Sequence, residues 1–404
     1  MASISLCMIV RDEEAVLGWC LESVAPAVDE IIVVDTGSID GTKAVAAAYT
    51  DRIFDFAWVD DFAAARNASF AKATGDYILW LDADDVLLPE DLDALLCLKN
   101  RLDQSPADVV MMRYNTGFDS RGNPTFFFDR ERLVRRAAGP VWHGRVHEYI
   151  QCPGTRITVN IAVTHRSIKT AYTTRNLRIY EKMAVAGESF TPRDRFYYGR
   201  ELYYHRQYDR AVQELQAFLA PGDGWLPDQL EACKFLSAAL HVQGDRKGAF
   251  AALCRSFALG APRADLVCGC GDLLLEQGDY PAAICWYKWA LKLPRDLHSG
   301  FVNTDDTGYL PYLRLCVCYD RMGDYAAAAR CNAQAAAYRP DDAAVQQNAA
   351  YFAALQHAAD LPSIGEDKEQ NRCIRRFIRT NLAATLAASL PVPAVPPLLG
   401  LPVQ

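Results

Sequence analysis

The sharpest chemical feature of the chain is a pair of carboxylates, Asp82-Ala83-Asp84, closing the apolar run Tyr77-Ile-Leu-Trp-Leu81. Two carboxylates projecting from one strand end repel each other unless a cation or hydrogen-bond donors hold them together. Hard oxygen ligands with an open side suit Mg²⁺ or Mn²⁺ that also carries phosphate oxygens. Alone, an Asp-x-Asp is a weak signal, and the same acids could merely precede the helix that begins near Pro89. A second acid, Asp35, ends the apolar run Ile31–Val34 and leads into the turn-rich Thr36-Gly-Ser-Ile-Asp-Gly-Thr42. Cys268-x-Cys270 and Cys316-x-Cys318 look like metal pairs but fall in helical periods, where i and i+2 point to different faces. Thiols packed between helices are the expectation there.

Elements must bring those acids together. Residues 4–10 (ISLCMIV) read as a buried strand, and apolar residues at Val16, Leu17, Cys20, Leu21 and Val24 mark a helix over 13–25. A strand at 31–34, a helix at 43–49, a strand at 53–59, a helix at 62–74 and a strand at 77–81 follow, then a helix at 92–102. Residues 108–114 and 126–128 read as further strands, and 157–165 as an antiparallel addition. Strands alternating with helices predict a mostly parallel α/β sheet, whose ligands sit beyond the carboxyl ends of its strands.

Taken in order, Cys7-Met-Ile-Val-Arg-Asp-Glu-Glu14, Asp29-Glu-Ile-Ile-Val-Val-Asp-Thr-Gly-Ser38, Asp61-Phe-Ala-Ala-Ala-Arg-Asn67 and Gly75-Asp-Tyr-Ile-Leu-Trp-Leu-Asp-Ala-Asp-Asp85 resemble the family 2 inverting glycosyltransferases. The likeness covers about residues 1–170. It implies a Rossmann-like GT-A fold, a nucleotide-sugar donor that is usually UDP-linked, and a divalent cation, Mg²⁺ or Mn²⁺. On that resemblance Asp35 would accept hydrogen bonds from uracil or ribose. Gly37, with Ser38, would let the nucleotide approach a tight turn. Val10, Arg11 and Glu13 would line the donor site, and Arg66 would reach the base or diphosphate. Asp82 and Ala83 would orient the ribose; Asp84, with Asp82 and His165, would hold the metal. An inverting transfer also needs a base. In place of the common Glu-Asp motif stands Val141-Trp-His-Gly-Arg-Val-His-Glu148, similar to a Trp-x-Gly-x-x-His-Glu variant in part of the family. It makes Glu148 the expected base, His147 the second candidate, and His143 a structural residue.

From about residue 173 the texture becomes helical. Gly244-Asp245 and Gly278-Asp279-Tyr280 stand 34 positions apart, each before an alanine-rich helix, and Gly323-Asp324-Tyr325 follows 45 positions on. The extra 11 residues fit a loop around 297–308, and Arg206-Gln207-Tyr208-Asp209 is a weaker earlier copy. The period resembles tetratricopeptide repeats, whose stacked helix pairs form a concave binding face. The expected organisation is a GT-A domain over 1–170, an all-α TPR-like domain over 171–360, and a charged then Pro-rich tail over 361–404, partly disordered.

The chain has 404 residues, 51% hydrophobic and 23% charged, so it can build a real core. Forty-two Lys and Arg against 50 Asp and Glu give a net charge of −8, which disfavours a nucleic-acid partner. No run reaches the ~18 apolar residues of a membrane span. Thirteen cysteines without a framework, and an N-terminus without a basic leader, suggest a reduced, cytoplasmic compartment. The leading expectation is a metal-dependent transferase moving a sugar to a peptide, protein or saccharide held by the helical repeats. The rival is a repeat scaffold carrying a non-catalytic transferase-like domain. A nucleotidyltransferase would want a basic, Gly-rich loop after the first strand, where this chain has the acidic Arg11-Asp-Glu-Glu14.

Overall fold

The structure is a computed structural model that describes residues 1–168, 172–294 and 300–360. The expected tail, 361–404, lies outside the described residues. In chain order the sheet-bearing part comprises β1 (Ile4–Val10), α1 (Leu17–Val24), β2 (Glu30–Asp35), α2 (Thr42–Ala47), β3 (Ile53–Asp55), α3 (Phe62–Phe70), β4 (Tyr77–Trp80), β5 (Asp85–Leu87) and α4 (Pro89–Gln104). It continues with β6 (Val109–Phe118), β7 (Pro124–Arg135), β8 (Val141–His143), β9 (Tyr149–Gln151) and β10 (Arg156–His165). The main sheet runs β3-β2-β1-β4-β7-β6-β10-β5.

Its first four strands are parallel, and β7 then pairs antiparallel with both β4 and β6. Parallel strands flanked by helices are buried on both faces, and β1 shows why its sequence reads as one apolar run. Ile4, Leu6, Met8 and Val10 pack into the core with Leu17 and Leu21 of α1, while Cys7 faces the opposite layer with Ile32, Ile78 and Trp80. β10 is not simply an antiparallel addition: it runs parallel to β6 and antiparallel to β5. That placement sets His165 opposite Asp85. β3 stops at Asp55, short of the expected 59. Trp58 leaves the sheet to meet the Phe62 ring edge-on at 4.8 Å, and both side chains join the core of the helical part.

That part contains α5 (Arg175–Val185), α6 (Pro192–Tyr204), α7 (Tyr208–Leu219), α8 (Leu226–Val242), α9 (Arg246–Arg255), α10 (Ala264–Glu276), α11 (Tyr280–Ala290), the short β11 (Val302–Asn303), α12 (Tyr309–Arg321), α13 (Tyr325–Tyr338) and α14 (Ala343–Asp360). The repeated Gly-Asp is a turn device. Gly244, Gly278 and Gly323 take φ of 85°, 79° and 81° to end one helix. Asp245, Asp279 and Asp324 then accept the third backbone N–H of the next. The weaker copy lacks both parts: Arg206 holds φ 59° without being glycine, and Gln207 makes no capping bond. The insertion before α12 is more than a loop. β11 pairs with β7, and Phe301 stacks on Phe126, so the helical part is docked on the sheet.

Candidate active site

The carboxyl ends of β1, β2 and β4 open into a cleft of about 430 Å³, walled on its far side by the start of α5. Val10, Arg11, Glu13, Arg66, Asp82, Ala83 and Asp84, all singled out in the sequence, line it. Thr36 and Phe62, which fall inside the motifs at 29–38 and 61–67, also line it, as do Trp58, Thr173, Arg175 and Arg178, which carry no local motif that would have announced them.

Two loops at the β1 and β2 ends are latched to each other. The Asp12 amide donates to Ser38 Oγ (3.0 Å) and the Ile39 amide to Asp12 Oδ1 (2.9 Å). The Glu13 amide donates to Thr42 Oγ1 (2.7 Å). Asp35 Oδ1 accepts from the Gly37 and Ser38 amides, both at 2.9 Å, and Gly37 takes φ 104°, which only glycine adopts without strain. Asp35 therefore braces the turn. It does not line the cleft, although its buried Oδ2 has no hydrogen-bond partner.

Arg66, 3% exposed, projects from α3, whose N-cap Asp61 accepts the Ala64 amide. Its guanidinium lies between the rings of Trp80 (4.8 Å) and Trp142 (4.9 Å). Nη2 donates to Asp82 Oδ1 (2.7 Å) and Nε to Glu148 Oε1 (2.6 Å). Burial disfavours its charge, but the Asp82 and Glu148 carboxylates outweigh that and raise its pKa. The same pairing works on Asp82: burial pushes its carboxyl up, and Arg66 more than compensates, leaving it at about 2.

This pairing corrects the expectation for the base. Glu148 is 1% exposed, sits behind Arg66 and is not on the cleft wall. His147 does not reach the cleft either. Its left-handed backbone (φ 51°) turns the ring toward α6, where it stacks on Tyr197 at 4.2 Å. Arg200 donates to Nδ1 (3.3 Å), so Nε2 carries the proton and donates to Glu201 (2.9 Å). Burial, then Arg200, push His147 down to about 4. His143 lies in β8 and stacks on Tyr149, away from the cleft.

On the other side of the tip, His165 Nδ1 lies 3.4 Å from Asp84 Oδ1 and 3.5 Å from Asp85 Oδ1. Tyr114 Oη stands 3.1 Å from the same nitrogen. Burial and the neighbouring Asp85 and Asp82 push Asp84 up to about 6, against the pull of His165. Burial lowers the His165 pKa, but Asp85 and Asp84 outweigh it and the net shift is upward. Asp84, Asp85 and His165 offer ligand atoms all within 4.8 Å of one another. Asp82, expected in this set, is turned to Arg66, and Asp85 takes its place. Asp85 is fully buried against Arg132 (3.0 Å), whose guanidinium lies 4.0 Å from the Trp80 ring. Asp85 closes the Gly75–Asp85 motif in sequence, but only its place as the first residue of β5, opposite His165, marks it as a ligand candidate. Two carboxylates and an imidazole, with buried oxygens of Asp82 and Asp85 lacking hydrogen-bond partners, are a donor set that fits Mg²⁺ or Mn²⁺.

Residues 5–152, which hold Asp82, Asp84 and Asp85 but not His165, match the glycosyl transferase family 2. A TPR repeat-containing protein of Synechococcus elongatus is 34% identical over 349 residues, covering 81% of this chain and 76% of that protein. The chain belongs to glycosyl transferase family 2. This glycosyltransferase is also 28% identical to the SPbeta prophage-derived glycosyltransferase SunS of Bacillus subtilis over 52% of its length, and spans 51% of that relative. Among solved structures, glucosyl-3-phosphoglycerate synthase from Mycobacterium tuberculosis is similar at 18% identity and a TM-score of 0.32, over 47% of this chain and 81% of that one. S. aureus TarS is similar at 13% identity and a TM-score of 0.33, over 64% and 88%. The glycosyltransferase joins a mixed, partly parallel α/β sheet domain to an all-helical part. Among its described residues no helix is long and apolar enough to cross a membrane, and the described cysteines are all free.

Proposed function

We propose that this glycosyltransferase moves a sugar, with inversion, from a UDP-linked donor to a peptide, protein or saccharide acceptor, in a Mg²⁺- or Mn²⁺-dependent reaction. The observation that carries the reading is the convergence of Asp84, Asp85 and His165 at the sheet tip: Asp84 lines the cleft, Asp85 and His165 stand behind it, and Asp82 beside them is paired with Arg66. Those three residues would hold the cation. A cation held there would supply charge neutralisation for a nucleoside diphosphate leaving group.

The chain's own residues do the rest. The latched loops after β1 and β2 shape the nucleotide end, where Val10, Arg11, Glu13 and Thr36 line the wall and Asp35 Oδ2 is a buried acceptor behind it. Arg66, fixed between two indoles, holds Asp82 in one orientation beside Ala83. Glu148 acts through Arg66, as a positioning residue rather than as the base. His147 ties the 141–148 loop to α6. We assign residues 1–170 to sugar transfer and 171–360 to acceptor binding, on the stacked helix pairs of the second part. Location in the cytoplasm, without a nucleic-acid partner, completes the reading, on the net charge of −8 and the free thiols.

The test is turnover of a panel of nucleotide-sugars by the full chain with Mn²⁺ and no acceptor. Slow hydrolysis of a UDP-sugar, lost in Asp84→Ala, is the expected result. A folded wild type that hydrolyses none of them, and gives no metal-dependent heat with UDP, would favour the scaffold reading instead.

A further inference from the structure

The cleft has four arginines on its walls, and their partners differ. Arg66 is held by Asp82 and Glu148, and Arg11 lies 3.8 Å from Asp12. Arg178 has Asp60 at 3.6 Å. Arg175, the first residue of α5, has no carboxylate at ion-pair distance among the described residues, and its Nε is buried without a hydrogen-bond partner. Its guanidinium lies 4.6 Å from the Phe62 ring, which holds the plane of the fork while leaving its N–H edges open.

An arginine partly withdrawn from water, with its Nε buried and unpartnered, is costly to keep. Burial accordingly lowers the Arg175 pKa, and Glu148 and Glu13 offset this only in part. Such a group is best explained by an anion that completes it. The fork geometry suits two phosphate oxygens, and the cleft it faces has carboxylates, not cations, on its floor. An anion placed between Arg175 and a cation at Asp84 would satisfy both walls at once.

We propose that Arg175 is the diphosphate-gripping residue of the donor site, so that the helical part completes the active site instead of only presenting an acceptor. This rests on the reading of the cleft as a nucleotide-sugar site. It also gives a physical reason for the two parts to be docked through Phe301 and β11: a shift of α5 would withdraw one wall of the donor site.

The test is calorimetric titration of the full chain, in Mn²⁺, with inorganic pyrophosphate and with UDP. Wild type is expected to bind both. Arg175→Gln, which keeps the stem over Phe62, should weaken both about tenfold or more, and Arg175→Lys should recover part of the loss. Arg195→Gln, on α6 outside the cleft lining and 3.6 Å from Glu214, should leave both unchanged, and all four proteins should melt alike. Equal pyrophosphate affinity in wild type and Arg175→Gln, or no pyrophosphate binding by wild type, would overturn the proposal. UDP bound no tighter than pyrophosphate, with the Arg175→Gln loss intact, supports the anion site and contradicts the uridine-linked donor.

Discussion

His147 and His165 are both buried, and their surroundings drive them in opposite directions. At the seam between the 141–148 loop and α6, burial and Arg200 push His147 down to about 4, and Glu201 accepts its one proton. At the sheet tip, Asp85 and Asp84 raise His165 in spite of its burial. The difference is a matter of charge count. The seam matches Arg200 and Arg193 against Glu201 and Asp228, two cations against two carboxylates. The tip sets four carboxylates (Asp82, Asp84, Asp85 and Glu148) against three guanidinium groups, those of Arg66, Arg132 and Arg130, the last 5.0 Å from the Trp80 ring, and so carries one acid in excess before His165 is counted. A region that balances its own charges holds the fold together; one that carries a surplus is arranged for a ligand.

The comparison can be broken most severely at Arg66. Arg66→Ala leaves Asp82 and Glu148 buried without their cation and empties the gap between two indoles. A loss of about 3–5 kcal/mol in urea unfolding is expected. A loss below about 1 kcal/mol would mean that the tip is wetter and its charges less committed than the geometry indicates.

Next is the seam. His147 is neutral in the fold down to about pH 4 but protonates near 6.5 in the unfolded chain. Its contribution is therefore fully present above about pH 6.5 and is lost as pH falls toward 4. His147→Asn keeps a residue that tolerates the left-handed backbone. It should flatten the stability profile between pH 7 and 4 by on the order of 2–3 kcal/mol, measured by unfolding at each pH. An unchanged profile would show that His147 takes up its proton in the fold as it does in the unfolded chain, and that burial at the seam does not displace it.

The smallest effect belongs to the repeat turns. Asp279→Ala removes the bond to the Ala282 amide and should cost about 1 kcal/mol. The same change at Gln207, which caps nothing, should cost less than half of that. Equal losses would remove the distinction between strong and weak copies of the motif.

Much of this was legible beforehand. The runs 4–10, 31–34 and 77–81 are apolar at every step because the parallel strands are covered on both faces. The Gly-Asp pairs announce their turns because a positive φ and an N-cap each select a residue type. Asp84 and His165 were each identifiable, yet their meeting depends on β10 pairing with β5, a contact between residues 80 positions apart in sequence. Asp85 was overlooked for the same reason. Glu148 and His147 looked like a base because a motif carries residue types but not directions. A left-handed φ at His147 turns one side chain to α6, and Arg66 takes the other. Arg175 had no motif at all; only the docking of α5 on the sheet brings it to the cleft.

The most direct test of the account is UDP binding by wild type and Asp84→Asn, each titrated with and without Mn²⁺, alongside their melting curves. UDP heat that needs Mn²⁺ in wild type and vanishes in an equally stable Asp84→Asn is the predicted result. Metal-dependent UDP binding of undiminished strength in Asp84→Asn would contradict it.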